Sequence, residues 1–150
     1  MTDISIIDAH HHFWDLSLKK HPWLDGRHKI TNFRYGDYSA LKTNYLLEDY
    51  KKDSKNQNIK KMIHMEGEWD STDPIGENRW LLDCYEKTGY PNAIVGQIWF
   101  MRADVENVLN IHAQNPLIRS VRQKPMTSLS PETFSLDMHG SMSDLKLNSL

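Results

Sequence analysis

The sequence predicts an α/β domain built on a parallel sheet, and three observations carry that expectation. Short apolar runs rich in β-branched residues, at 4–9, 59–66, 93–100 and 117–121, alternate with segments of helical period. The segments between the runs are long enough to hold crossover helices, which parallel neighbours require. At 150 residues the chain fits one domain.

The first strand, Ile4 to Ala9, runs directly into His10, His11 and His12, so the histidines sit at its C-terminal end. From Phe13 to about Asn44 no period emerges. Pro22, Gly26 and Gly36 punctuate this stretch, and Trp14, Trp23, Phe33, Tyr35 and Tyr38 are scattered through it. A connection that long and that aromatic suits a functional lid better than a linker. A helix near 45–57 follows from Leu46, Leu47 and Tyr50 at i, i+1, i+4, with Thr43 or Asn44 as cap and Asn58 as stop.

The second strand is Ile59 to Glu66. Asp73 as cap and Pro74 at the first helical position open the second helix, and Gly89 closes it; Ile75, Leu82 and Tyr85 mark its apolar face. Ala93 to Phe100 forms the third strand. Val105, Val108, Leu109 and His112 repeat with helical spacing between Asp104 and the breaker pair Asn115 and Pro116. The fourth strand, Leu117 to Val121, ends in Arg122, Gln123, Lys124 and Pro125. Residues 126–150 show no period and are expected to form an irregular tail.

Composition narrows the function classes. Eighteen Lys and Arg against 20 Asp and Glu give a formal charge of -2, with a pI near 6.4. Neither nucleic acid nor an anionic membrane is therefore expected as a partner. An apolar share of 39% predicts a thin core, which five Trp, six Tyr and four Phe make foldable. Cys84 is the only cysteine, so no disulfide closes within the chain and a reducing compartment is expected. The N-terminal segment has no basic n-region and its apolar run stops at Asp8, which points to a cytoplasmic protein. Cys84, beside Tyr85 on a helix, reads as a small buried residue rather than a nucleophile. Lys51, Lys52, Lys55, Lys60 and Lys61 read as a solvated cluster.

Alternation along a strand puts His10 and His12 on one face and His11 on the other. Ligand sites of parallel sheets lie at the C-terminal strand ends, and neutral imidazoles bind zinc and related ions. A hydrogen-bonded structural strand end is the alternative, and the spacing alone leaves both open. His64 and Glu66 share parity on the second strand and are expected to face the same mouth. There Glu66 would orient a substrate hydroxyl or a ligand histidine, packing or an ion pair being the equal alternative. Arg122 and Lys124 are placed to hold a substrate carboxylate or polarise a carbonyl, against a solvated strand end. Trp14, Trp23 and Trp69 fall in loops where flat faces suit a sugar or lactone ring, whereas Trp80 and Trp99 fall in regular elements and read as core.

The stretch Ile7-Asp8-Ala9-His10-His11-His12-Phe13-Trp14-Asp15, followed by His21-Pro22-Trp23-Leu24, resembles the opening of the amidohydrolase superfamily. The likeness is to the branch of sugar lactonases and 2-pyrone-4,6-dicarboxylate lactonases. It recurs at His64 to Asp70, Asp73 to Leu81, Ile94 to Gln97 and Ile118 to Pro125, then faintly at Gly140 to Asp144. The resemblance implies a (β/α)8 TIM barrel whose N-terminal half this chain supplies. It implies that His10 and His12 are the first two metal ligands or catalytic imidazoles. It further implies a divalent metal, zinc foremost, although lactonases of this branch also include members thought to work without one. The implied substrate is a small-molecule lactone or carboxylate, and the implied reaction opens the lactone by activated water.

A closed barrel takes about 250 residues and rarely fewer than 200, so this chain is expected to be half of one and inactive alone. The later histidine and the last aspartate have no motif match, since His112 falls on a helix and Asp137 and His139 in the tail. Self-association or pairing with a complementing C-terminal half-barrel is expected from the unpaired strand edges. Three rivals remain: a nonoxidative decarboxylase or a metal-dependent nuclease, which open with the same His-x-His, and a noncatalytic truncated fragment. Phe13-Trp14-Asp15 and Glu68-Trp69-Asp70 favour the lactonase branch.

Overall fold

A computed structural model describes residues 4–27, 36–100 and 102–123. Strands β1 (Ile6–His11), β2 (Ile59–Met65), β3 (Ala93–Gln97) and β4 (Ile118–Arg122) alternate with helices α1 (Leu47–Asp53), α2 (Gly76–Thr88) and α3 (Val105–Gln114). All pairings are parallel and the sheet order is β1-β2-β3-β4. With right-handed crossovers, adding each strand beside the last puts every connecting helix on one face. The opposite face is then left for a barrel interior, whereas a doubly wound sheet would reverse its order. The fold is thus α/β and half a barrel wall, with β1 and β4 as open edges among the described residues.

The helix-covered face holds the core. Met62 of β2 and Ile94 of β3 meet Leu47 and Tyr50 of α1 and Leu81 of α2, with Phe13 and Leu117 closing the cluster. Fully burying a side chain such as Leu81 or Ile94 contributes about 2 kcal/mol. A second cluster, of Trp14, Trp23, Leu24 and Tyr38, packs the long connection after β1 onto itself. Paired bonds between Trp14 and Tyr45 tie that connection back to the start of α1.

Several boundaries differ from the sequence expectation, each for a local reason. Strand β1 starts two residues late, where the Ile6 amide reaches Asn58 O, and runs on to His11, which aligns with His64. Helix α1 is shorter than 45–57. Asp49 accepts from the Leu46 amide and so starts it, Asn44 is taken by the Leu16 amide instead, and Ser54 ends it on Tyr50 O. Asp73 and Pro74 form a turn ahead of α2, with Asp73 O accepting from the Gly76 amide. Gly76 admits no side chain, since a Cβ there would collide with the Trp69 indole nitrogen and the Asp73 carboxylate.

Gly89 ends α2 in the left-handed conformation, as the sequence predicts. Strand β3 stops at Gln97, so Trp99 lies beyond it, buried in the following turn rather than within the strand. Helix α3 keeps the expected bounds. Lys124, Phe33, Tyr35, Asp137, His139 and the whole 126–150 segment lie outside the described residues. No helix among the described residues is long and apolar enough to cross a membrane.

Candidate active site

The geometry begins with a register fault. Between the pairs Asp8/Met62 and His11/His64, strand β1 spends three residues where β2 spends two. That extra residue is a bulge, which flips the side-chain alternation and bends the strand. Asp8 and His11 consequently both face the helices: Asp8 accepts from the Tyr50 hydroxyl at 2.7 Å, and the His11 ring lies 5.3 Å from that of Tyr50. His10 and His12 share the other side, with ring centroids 5.1 Å apart. The His12 Nδ1 sits 2.8 Å from the carbonyl of Met65. A carbonyl only accepts, so Nδ1 carries the proton and the lone pair of neutral His12 is on Nε2, the state in which imidazole ligates a metal.

The other histidines are sealed beneath. His64 is 0% exposed, which corrects the expectation that it faces the mouth: the bulge pairs it with His11, on the helix side. Its Nδ1 accepts from the Phe13 amide, and its Nε2 donates to Oε1 of Glu77 at 3.2 Å. That oxygen also accepts from the Gly67 amide at 2.8 Å and lies 4.0 Å from Nε2 of His21. Burial pulls His64 down to about 3, with the Arg122 charge acting the same way. Burial also takes His11 to about 3, aided by His64, and His21 to about 4 against the pull of Glu77. All three are neutral at pH 7. Glu77 thereby ties the loop after β1, the end of β2 and the start of α2 together. Its part is hard to read from sequence, because a Glu in a first helical turn ordinarily faces water and complements the dipole.

A narrow cleft, with room for about one water, lies between the ends of β2, β3 and β4, lined by Glu66, Glu68, Gln97, Ile98, Trp99, Arg122 and Gln123. Glu66 is 1% exposed. Arg122 spans from β4 to it, donating from Nε to Oε1 at 2.8 Å and from Nη2 to the Glu66 carbonyl at 3.1 Å. The second oxygen of Glu66 accepts from the Glu68 amide at 3.0 Å. Glu68 has φ 58, a left-handed value that costs a residue with a Cβ about 1 kcal/mol or more. Sequence reading singled out Glu66 and Arg122 and passed over Glu68, Gln97 and Glu77.

The three tryptophans expected at the mouth are all buried. Trp14 stacks on His12 with centroids 6.2 Å apart and donates from Nε1 to Thr43 O, and Trp23 donates from Nε1 to Gly67 O at 2.9 Å. Trp69 stacks on Trp80 and meets His21 edge-on. Cys84 is half-buried, and burial pushes its thiol up, away from nucleophilic use. His112 is a packing residue, held by Asn78 and by Gln97 O.

His10 and His12 fit a metal in donor type and in sharing one side of β1, and His12 fits it in tautomer as well. They are two donors, and a zinc site takes three protein ligands or more. Among the described residues no group of three or more His, Cys, Asp or Glu is placed to hold an ion. Further donors would have to come from outside them.

A parallel sheet wound 1-2-3-4 with its helices between the strands defines the class of fold, an α/β barrel wall. The solved structure of an amidohydrolase from Burkholderia multivorans with bound zinc has this fold. It matches with a TM-score of 0.56 at 18% identity, over 81% of this chain and 38% of its own. A protein of Sinorhizobium fredii (strain NBRC 101917 / NGR234), named "Uncharacterized protein y4mH", is 43% identical over 123 residues. That match takes in 82% of this chain and 41% of the relative. The chain thus spans well under half the length of each protein it matches. No family model matches it.

Proposed function

We propose that this chain is the first half of an amidohydrolase barrel that hydrolyses a lactone of a sugar acid or a dicarboxylate. The observation that carries the reading is the pair His10 and His12 on the open side of β1, with His12 fixed by Met65 O to present Nε2. The zinc held by the Burkholderia multivorans structure supports it. In the reaction, the oxygen of water bonds to the lactone carbonyl carbon and the acyl carbon–oxygen bond breaks. The ring oxygen takes up a proton, giving a hydroxy acid. A zinc ion held by His10, His12 and donors beyond the described residues would polarise the carbonyl and lower the pKa of bound water toward about 7.

The residues of this chain orient and shield. Met65 O sets the His12 ring, Trp14 covers one face of that ring, and Arg122 with Glu66 forms the wall at the far strand ends. Turnover on this reading also needs the other half of the barrel, from the same polypeptide or from a complementing chain. Ile7, 60% exposed on the open side of β1, is an apolar residue that such a half would cover.

The test is acid release from a panel of sugar-acid and dicarboxylate lactones, using the protein as its own cells make it. Hydrolysis that falls on treatment with a zinc chelator and returns with zinc supports the reading. Carbon dioxide release from carboxylate substrates without lactone opening would replace it with the decarboxylase alternative.

A further inference from the structure

We infer that Trp23 is a positioning residue for His12, holding its ring through Trp14 at the tilt that presents Nε2; this rests on the reading of His12 as a ligand imidazole of the lactonase site and deepens it. The bond from His12 Nδ1 to Met65 O sets which nitrogen carries the proton. The tilt of the ring is a separate matter: the outer torsion of histidine is broad, so what packs on the faces of the ring decides it. Trp14 lies on one face, 6.2 Å away between centroids and 26° between planes. A ring that lost this tilt would also lose its line to Met65 O, since hydrogen bonds weaken steeply off axis.

Trp14 is itself held by a second indole. The Trp23 ring meets it edge-on, 6.0 Å away at 78°, a favoured aromatic geometry. Trp23 sits in the turn His21-Pro22-Trp23-Leu24, closed by the Leu24 amide on His21 O at 3.0 Å, with Pro22 at the position whose φ a proline presets. Its Nε1 donates to Gly67 O at 2.9 Å, and Tyr38 stacks on it with centroids 6.2 Å apart.

The end of β2 supplies both anchors. Met65 and Gly67 are alternate residues of one backbone; the carbonyl of the first takes the imidazole, that of the second takes the indole of Trp23, and Trp14 contacts both rings. Gly67 is fixed in turn. Its amide donates to Glu77 Oε1 at 2.8 Å, and a Cβ there would come within 3.1 Å of that oxygen and 3.3 Å of His21 Nε2. The Asp70 amide, on Lys20 O at 2.7 Å, holds the same turn against the loop after β2. A row therefore runs from buried Glu77 through Gly67, Trp23 and Trp14 to His12. A smaller apolar side chain at position 23 would still be buried, but it would neither donate to Gly67 O nor offer an aromatic edge to Trp14.

The experiment reads the His12 ring directly. The protein as its own cells make it, labelled with heavy nitrogen and freed of metal, is compared with its Trp23→Leu variant by NMR of the imidazole nitrogens, the His12 signals being identified by their loss in His12→Asn. The unaltered protein should show His12 in the Nδ1–H form, with widely separated nitrogen shifts. In Trp23→Leu the two shifts should move toward each other as the other tautomer gains share, and the zinc Kd, from competition with a chelator, should rise about tenfold. Trp80→Leu, an equal loss of an indole outside the row, should lower stability and leave the His12 shifts and the zinc Kd unchanged. Where Trp23→Leu does not fold, Trp23→Phe, which keeps a ring and loses the bond to Gly67 O, should move both readouts the same way by less. Either readout unmoved in a folded Trp23 variant, or both moved equally by Trp80→Leu, would overturn the inference and leave the lactonase reading standing. No lactone hydrolysis by the zinc-loaded protein, with the His12 shifts moving as expected, would overturn the lactonase reading and leave the positioning of His12 by Trp23 standing.

Discussion

His10 and His12 on one side of β1, and His11 with His64 on the other, are close in sequence or space and opposite in circumstance. The first pair lies on the open side, with the His12 ring locked to a backbone carbonyl. The second is walled in by Phe13, Tyr50 and Glu77 and kept neutral by burial. One bulge between Asp8 and His11 makes the separation. The same residue type is therefore used in two ways within a few ångströms: one pair stands on the open side of the strand, and the other is spent on holding the strand end in place.

The largest break in that comparison comes from the sealed side. Glu77→Ala removes the acceptor shared by Gly67 and His64 and leaves both donors buried, so a loss of about 4 kcal/mol in denaturant unfolding is expected. Glu77→Gln, which keeps one oxygen, should lose far less.

Acid comes next. His21 and His64 have folded values near 4 and 3, below the usual 6.5, so the unfolded chain binds their protons first. Their stabilising contribution is complete above pH 6.5 and is lost as pH falls toward 4 and 3. With His11, also near 3, the three should together remove about 4 kcal/mol between pH 7.5 and 5.5, read from unfolding midpoints at matched ionic strength. Substituting His21 by Phe should flatten that slope by about a third.

How far the sequence reveals this molecule follows from the same contrast. Periodicity marks the strands, the helices and the α/β class, because alternating burial leaves its trace in residue order. Gly89 marks the end of α2 for a reason of local backbone conformation alone. The bulge leaves no such trace: the run Asp8-Ala9-His10-His11 reads as plain alternation, and only the pairing of His11 with His64 shows the extra residue. The pairing of His11 with His64 is therefore not legible, nor is the role of Glu77, which depends on a loop folding back over it, whereas the inward turn of His64 follows from its parity with the core residue Met62. Glu66 and Arg122 are legible as polar strand ends, but their contact spans 56 residues and is set by strand order. The packing of Trp69 against Trp80 depends on how the turn ahead of α2 folds back, which residue order alone does not show.

Smaller effects sharpen the picture. Trp14→Phe keeps the aromatic packing and loses the bond to Thr43 O, so about 1 kcal/mol of stability should go, with little change at the His12 ring. His10→Ala is the smallest structural change: His10 is exposed and should alter unfolding free energy by no more than about 0.5 kcal/mol.

The most direct test places one residue from each side in the same assay. His12→Asn and His64→Asn, made in the protein as its cells produce it, are measured for lactone kcat/KM and for unfolding midpoint. His12→Asn should cut kcat/KM by at least about a hundredfold and leave the midpoint nearly unchanged. His64→Asn should lower stability by about 2–3 kcal/mol and leave kcat/KM of the folded protein within about tenfold. Retained turnover in His12→Asn, with the loss appearing only in His64→Asn, would contradict the assignment of chemistry to the open side of β1.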